Sequence, residues 1–305
     1  MILVTGATGA VGREVAGLLA GAGPVRILAR RPDRVTVRGP EVEVVAGEYG
    51  DRSALDRALR GIDSVFLVTN SPTEPDDERV AAAAGAAGVR HIVKLSMMAV
   101  EEPDADDFIT RLQRGNERAV RESGVPWTFV RPRTFMSNTL SWASGIRSDA
   151  VVRALYGDAP VACVDPRDVA AVAVAALTGT GHEGRAYAVS GPEAITAREQ
   201  TAQLSQLLGR PLRFEELSPD QARESLLAKY PRPVAEAFLE SAERRRAGAK
   251  AAVTPAVEEL TGRRARTFRT WAADHAEAFG PSGPTSRTEG SPTSGTEGSP
   301  TSRTE

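Results

Sequence analysis

One turn near the start of the chain constrains the fold more than anything that follows it. The apolar run Ile2-Leu3-Val4 leads straight into Thr5-Gly6-Ala7-Thr8-Gly9-Ala10-Val11-Gly12, after which apolar residues recur at helical spacing over residues 10–22. A strand leaving through a GxxGxxG turn into a helix is the opening unit of a dinucleotide-binding sheet. Gly6 permits the tight exit, Gly9 lacks the Cβ that would block a pyrophosphate, and Gly12 lets the helix lie close to the sheet. The helix N-terminus adds free amides and a partial positive charge. Gly6, Ala7, Thr8, Gly9, Ala10, Val11 and Gly12 are therefore expected to cradle a pair of phosphates.

The pattern that starts there continues. Short apolar runs at residues 25–28, 42–45, 64–69, 91–95 and 127–130 alternate with helical stretches at 53–59, 76–87 and 108–122. Continuously apolar strands separated by helices are parallel strands buried on both faces, joined by right-handed crossovers. After Arg131-Pro132 the rhythm loosens. A long apolar helix is expected at 168–177, a strand-like run at 185–189, and further helices at 198–208, 219–228, 233–247 and 267–279. The expected fold is thus α/β, a Rossmann-type doubly wound parallel sheet with a smaller, mostly helical C-terminal substrate lobe. Residues 1–150 form the NAD(P)-binding domain, and residues 151–280 form the lobe, with segments returning to the sheet. From residue 281 an eight-residue repeat of Ser, Thr, Gly, Pro and Glu carries no apolar residue, so residues 281–305 are expected to be a disordered tail.

Composition removes other classes. With 38 basic against 40 acidic residues, no overall field draws the molecule to nucleic acid or anionic lipid. The basic clusters Arg244-Arg245-Arg246 and Arg263-Arg264-Ala265-Arg266 have no interleaved aromatics and read as solvated helix and loop ends. The lone Cys163 cannot pair within the chain, and His91, His182 and His275 share no ligand spacing, so neither a disulfide framework nor a metal is expected. The longest apolar run, 169–177, is under half a membrane span, and the N-terminus lacks a basic n-region, which together lead to the expectation of a cytoplasmic protein.

The second strand ends Leu28-Ala29-Arg30-Arg31-Pro32. An acidic residue there would accept from a ribose 2′-OH, whereas arginines accommodate a 2′-phosphate, so Arg30 and Arg31 favour NADP(H) over NAD(H). Asp51 has two open roles, contacting the adenine amine or N-capping the helix that follows it.

Five segments, TGATGAVG, LARRP, GEYGDRSALDRALRGIDSVFLVT, AAAAGAAGVRHIVKLS and ESGVPWTFVRP, resemble the NmrA-like, atypical branch of the short-chain dehydrogenase/reductase family. The chain is similar to its NADPH-dependent quinone and triphenylmethane-dye reductases. The resemblance runs over residues 1–278 and is strongest through Asn138. It implies cofactor contacts at Gly6 to Gly12, Arg30, Asp51, Val68, Thr69, Asn70, Ser96 and Met97, with Thr134 and Phe135 flanking the nicotinamide. It also implies a substrate pocket at the carboxyl ends of strands five and six, where Met98, Asn138 and Trp142 join Ser96, Met97 and Phe135. Met97, Met98 and Trp142 have core packing as their alternative, and Ser96 either bonds a substrate carbonyl or caps local backbone. Lys94, two residues before Ser96, faces either the cleft or solvent at the sheet end.

The chain departs from that family at its chemical centre. Standard members use Tyr-x-x-x-Lys, but none of Tyr49, Tyr156, Tyr187 and Tyr230 has a lysine four residues later. By the family's layout the pair falls on Gln113 and Glu117, which cannot reproduce a tyrosine-driven proton relay. Two functions follow. One is an NADPH-dependent oxidoreductase passing hydride to a small electron-poor acceptor (a quinone, dye or aromatic metabolite) through proximity and orientation. The other is a non-catalytic NADP-binding redox sensor acting through a protein partner. A homodimer stays open in either case.

Overall fold

Neighbouring residues within each central strand feed two different cores, which is what a sheet buried on both faces requires. The structure, a computed structural model, describes residues 1–69 and 71–280; Asn70 and the repeat segment expected to be disordered lie outside the described residues. In chain order the first half contains β1 (Ile2–Thr5), α1 (Ala10–Ala20), β2 (Val25–Ala29), β3 (Val42–Ala46), α2 (Arg52–Leu59), β4 (Ser64–Leu67), α3 (Asp76–Ala86), β5 (His91–Leu95), α4 (Phe108–Glu122) and β6 (Trp127–Pro132). The second half contains α5 (Ala143–Asp149), β7 (Val151–Ala154), α6 (Pro166–Thr178), β8 (Arg185–Val189), α7 (Ala197–Leu208), β9 (Arg213–Glu216), α8 (Pro219–Leu227), α9 (Arg232–Arg246), α10 (Ala256–Thr261), α11 (Phe268–Asp274) and α12 (Ala276–Phe279).

Seven strands form one sheet in the order β3-β2-β1-β4-β5-β6-β8, every pair parallel. Leu3, Leu28, Val65, Ile92 and Phe129 turn to the face covered by α2, α3 and α4, with Leu55, Leu59, Val80 and Val120. Their successors Val4, Val93 and Val130, with Ile27 and Phe66, turn to the other face, against Val11 and Val15 of α1 and Val169 and Val172 of α6. The doubly wound sheet expected from the sequence is therefore present. Both α6 and β8 belong to this layer: α6 packs along α1, and β8 adds an edge strand beside β6.

A lobe forms from α5, α7, α11, α12 and two short strands around Met136, Ile146, Val152, Leu204, Phe268, Trp271 and Phe279; α8 and α9 pack with Leu155 around Ala222 and Leu239, and α10 packs on α6. The lobe contains a two-stranded parallel ladder of β7 and β9 that periodicity did not reveal, because four-residue strands with exposed Arg and Glu carry no apolar run. The expected continuous helix over 267–279 breaks at His275. The His275 ring stacks on Trp271 at 4.4 Å, and its Nδ1 lies 2.7 Å from the Trp271 carbonyl. That carbonyl is the one the His275 amide would use in an unbroken helix; the amide donates to Ala272 instead.

The first helix tests the glycine argument. A Cβ on Gly12 would sit 2.3 Å from the Gly6 carbonyl oxygen, a clash with backbone that no rotamer relieves. Gly12→Ala is expected to cost about 2–3 kcal/mol and to lower the melting temperature by roughly 5–10 °C. Thermal unfolding followed by circular dichroism checks this; an unchanged midpoint would contradict the close packing.

Candidate active site

The strand order reverses direction between β1 and β4, and the two strand exits are fastened there. Thr5 donates its hydroxyl to the carbonyls of Phe66 and Val68, at 3.1 and 3.2 Å, and accepts from the Val68 amide at 2.7 Å. Val68 thereby leaves the ladder, which ends β4 at Leu67 rather than at Thr69 as the apolar run suggested. The Tyr49 hydroxyl also donates to the Val68 carbonyl, and its burial beside Asp76 and Asp77 raises the phenol above its usual range. Gly6 turns with φ +64, a conformation favouring glycine, and a Cβ there would meet the Val68 side chain at 2.9 Å.

This crevice fits a dinucleotide. Gly9 precedes α1 in extended backbone with no side chain capping the helix, so the first amides of α1 point unblocked from its N-terminus. Thr8, Gly9 and Ala10 are exposed, while Ala7 and Val11 are buried, so those two offer backbone only. Beyond β2, Arg30 and Arg31 are exposed and make no ion pair or side-chain hydrogen bond among the described residues. Asp51 is the N-cap of α2, accepting from the amides of Ser53 and Ala54 at 2.9 and 3.1 Å; these bonds hold its carboxyl below the usual range. The capping alternative is the one observed.

At the exits of β5 and β6 the polar groups are committed to one another. Arg131 clasps the buried Glu117 carboxylate through Nε at 2.8 Å and Nη2 at 2.5 Å, and Ser96 donates to the same carboxylate at 2.7 Å. Although burial opposes it, the bonds from Arg131 and Ser96 bring the Glu117 carboxyl below its ordinary range. Ser96 therefore does not offer its hydroxyl to a substrate carbonyl, the role raised from sequence. Its proton is held by Glu117. Lys94 faces neither the cleft nor solvent, because it is fully buried and paired with Asp77 of α3 at 2.6 Å; Thr69 donates to the other Asp77 oxygen. Thr134 and Phe135 follow β6 directly, and Phe135 packs against the α1–α6 core.

A cavity of about 460 Å³ lies beside this crevice. The β4 exit contributes Thr69, Ser71 and Pro72; α4 contributes Ile109, Leu112, Gln113 and Asn116; Tyr230, Val234 and Phe238 close it from the α9 side. The lining is mostly apolar, and the amide oxygen of Gln113 is buried in it without a hydrogen-bond partner. Met98, Asn138 and Trp142, expected as pocket residues, do not line it. Met98 is buried in the turn after Met97, Asn138 is exposed, and Trp142 packs against the lobe core.

A family model described as NAD(P)H-binding matches residues 6–180, more than half of the chain. The chain belongs to the NAD(P)H-binding family. Its relatives place it in the NmrA-like reductase branch that the sequence resembles. It is 84% identical over 281 residues to a (4-alkanoyl-5-oxo-2,5-dihydrofuran-3-yl)methyl phosphate reductase of Streptomyces griseus, covering 92% of this chain and all of that one. It is 40% identical over 289 residues to an NAD(P)H azoreductase of Xenophilus azovorans, covering 92% and 99%. A quinone oxidoreductase of Escherichia coli solved with NADPH superposes with a TM-score of 0.78 at 25% identity, covering 91% and 99%. The protein is an NAD(P)H-dependent reductase.

Two groups in the reductase differ from their sequence reading. The arginine clusters are not simply solvated ends. Arg244 bonds Asp107 at 2.6 Å, Arg245 bonds the Leu155 carbonyl at 2.6 Å, and Arg263 and Arg266 converge on the fully buried Asp168; Arg246, paired at the surface with Glu243, and the exposed Arg264 are as expected. The cavity walls of α4 and α9 were also missed, because Ile109, Leu112, Val234 and Phe238 look like ordinary amphipathic helix spacing. Among the described residues no helix is long and apolar enough to cross a membrane, and no group of three His, Cys, Asp or Glu could hold a metal.

The Glu117 site gives a pH test. Its carboxyl is held below the usual range, so its contribution to stability is present above the ordinary glutamate pKa and lost as pH falls through the folded value. Arg131→Met leaves that buried charge to Arg121 and Ser96 alone and is expected to cost about 2–3 kcal/mol near neutral pH. Urea unfolding should find the deficit shrinking as pH falls and Glu117 protonates; a constant deficit would mean that Arg131 acts by packing alone.

Proposed function

We propose that this reductase uses NADPH to reduce the ring double bond of a (4-alkanoyl-5-oxo-2,5-dihydrofuran-3-yl)methyl phosphate. The observation that carries this reading is the 84% identity to the Streptomyces griseus reductase of that compound, spanning that protein's full length. The site chemistry agrees with it. In such an acceptor the double bond joins the carbon bearing the phosphomethyl group to a carbon flanked by the ketone and the lactone carbonyl. When bound, the reduced nicotinamide supplies a hydride, which this alkene takes at the phosphomethyl-bearing carbon. The charge left on the neighbouring carbon spreads over both carbonyl oxygens as a stabilised enolate, and a proton from water completes the saturated ring. An acceptor of this kind needs little general acid help, which suits a site whose buried Glu117 is ionised and clasped.

The chain's own residues then bind and orient. The cavity between α4 and α9 receives the alkanoyl chain against Ile109, Leu112, Val234 and Phe238, its volume lying in the usual range for small-molecule sites. Gln113, standing where the family's tyrosine would be, lines the same cavity and turns its Nε2 protons to a carbonyl oxygen as charge develops on it. Gly6 to Gly12, Val68, Thr69, Met97, Thr134 and Phe135 line the cofactor, Ser96 fixes the floor beneath it through Glu117, and Arg30 and Arg31 hold its 2′-phosphate.

Two experiments test this. With NADPH carrying deuterium at the transferable position, the label should appear at the ring carbon bearing the phosphomethyl group; no cofactor oxidation, or label elsewhere, refutes the acceptor or the regiochemistry. Changing Arg30 and Arg31 together to Ala should weaken NADPH binding about 10- to 100-fold and NADH far less, read by cofactor fluorescence titration. Equal losses for the two cofactors would refute the phosphate role.

A further inference from the structure

Four cationic side chains gather where α9 ends against the start of α4, and three carboxylates, Glu102, Asp107 and Glu216, act on them. Arg133, just past the end of β6 and two residues beyond the clasp at Arg131, pairs with Glu102 at 2.7 Å. Arg244 bonds Asp107, the N-cap of α4, at 2.6 Å; its Nε stands 3.5 Å from the second Glu102 oxygen without bonding it. Arg245 reaches the Leu155 carbonyl, and Lys250 donates only to the Ser241 hydroxyl. The Nε–H groups of Arg133, Arg244 and Arg245 are all buried without a hydrogen-bond partner. Burial, with Arg244, Arg245 and Arg133 close by, pushes the Lys250 amine down to about 8 despite the pull of Glu102. Excess buried positive charge with unused donors is costly unless an anion completes it. Arg244, Arg245 and Lys250 nonetheless keep part of their surface open.

The position of this cluster gives it a purpose. The helices α4 and α9 pack on each other, and the apolar cavity occupies the same seam. Phe108 of the cavity directly follows Asp107, and Phe238 precedes Arg244 by six residues, about 9 Å along the helix. An apolar seat and a cationic seat thus lie end to end, as an amphiphile with an acyl tail and a dianionic head requires.

We propose that Arg133, Arg244, Arg245 and Lys250 form a phosphomonoester site that takes the acceptor's phosphate while its acyl chain fills the cavity. The assignment rests on the acceptor proposed above. It is separate from the cofactor's phosphates, which are assigned to the glycine turn and to Arg30 and Arg31 on the far side of the sheet's reversal.

The test compares the butenolide phosphate with its dephosphorylated alcohol, using the full chain saturated with NADPH. The wild type should favour the phosphate in kcat/KM. Lys250→Met should lower the phosphate-to-alcohol ratio about 10- to 100-fold, and Lys250→Arg should restore most of it. A purely structural role would lower both substrates together and leave the ratio unchanged, which would overturn the assignment. If Lys250→Met does not fold, Arg245→Met reads the same ratio. Calorimetry with hexyl phosphate on the NADP⁺-saturated protein separates this inference from the acceptor's identity. Hexyl phosphate that binds the wild type and loses about tenfold or more in Lys250→Met supports the anion site even if the butenolide is not reduced. Equal binding to both proteins refutes the site even if the butenolide is a good substrate.

Discussion

The clasp of Arg131 on Glu117 is the interaction on which the rest of the site depends. It joins the end of β6 to the middle of α4, and Ser96 brings in the end of β5 through the same carboxylate. The backbone ladder already joins β5 to β6, and the clasp adds α4 to their ends through one buried carboxylate. A buried pair of this kind is weak evidence for net stability, because desolvation offsets much of its attraction. Its contribution lies in orientation: with α4 fixed in rotation, Gln113 and Leu112 are turned into the cavity one turn earlier on the helix. The same clasp withdraws Glu117 from proton transfer. Architecture and reactivity are thus decided by the same four hydrogen-bonding atoms.

A second constraint acts at the reversal of strand order. Thr5 ties the exit of β1 to that of β4, so the glycine turn and the Val68–Thr69 segment move as one unit. A phosphate turn needs this rigidity. Free amides at a helix N-terminus attract an anion only if they remain aimed at it, and any ordering left until binding would weaken the complex. From Thr69 the network runs to Asp77 and the fully buried Lys94, which anchors α3 under the cofactor crevice.

The fold was legible because its determinants are local. Leu3/Val4, Ile92/Val93 and Phe129/Val130 are adjacent apolar pairs, and adjacency is enough to reveal a strand buried on both faces. The phosphate turn is equally local, its glycines falling within seven residues of one another. What escaped the sequence is what depends on long separations. Arg244 sits 137 residues from Asp107, so the arginine run looked like a solvated helix end. Lys94 looked as if it faced the cleft or solvent because its partner Asp77 is on another element. The cavity needs α4 and α9 to be side by side, and no periodicity within either helix reports its partner. Gln113 was found as the position of a missing acid, but its orphaned amide oxygen emerges only from packing.

A reductase can dispense with an acid when its acceptor stabilises charge internally, and binding then becomes the main demand on the protein. An unstabilised carbonyl would require the proton that tyrosine normally supplies, and with Glu117 clasped the α4 site holds none to give. A doubly activated alkene moves the requirement elsewhere: to a dry seat for the acyl chain, an amide that meets the developing oxyanion, and fixed positive charge for the head group. On the proposed function, these demands fall along α4 and α9, on apolar side chains, on Gln113 and on the cations beyond Asp107. On that proposed acceptor the absent tyrosine and lysine are consistent with active chemistry, because the difficult part of catalysis moves from proton supply to orientation.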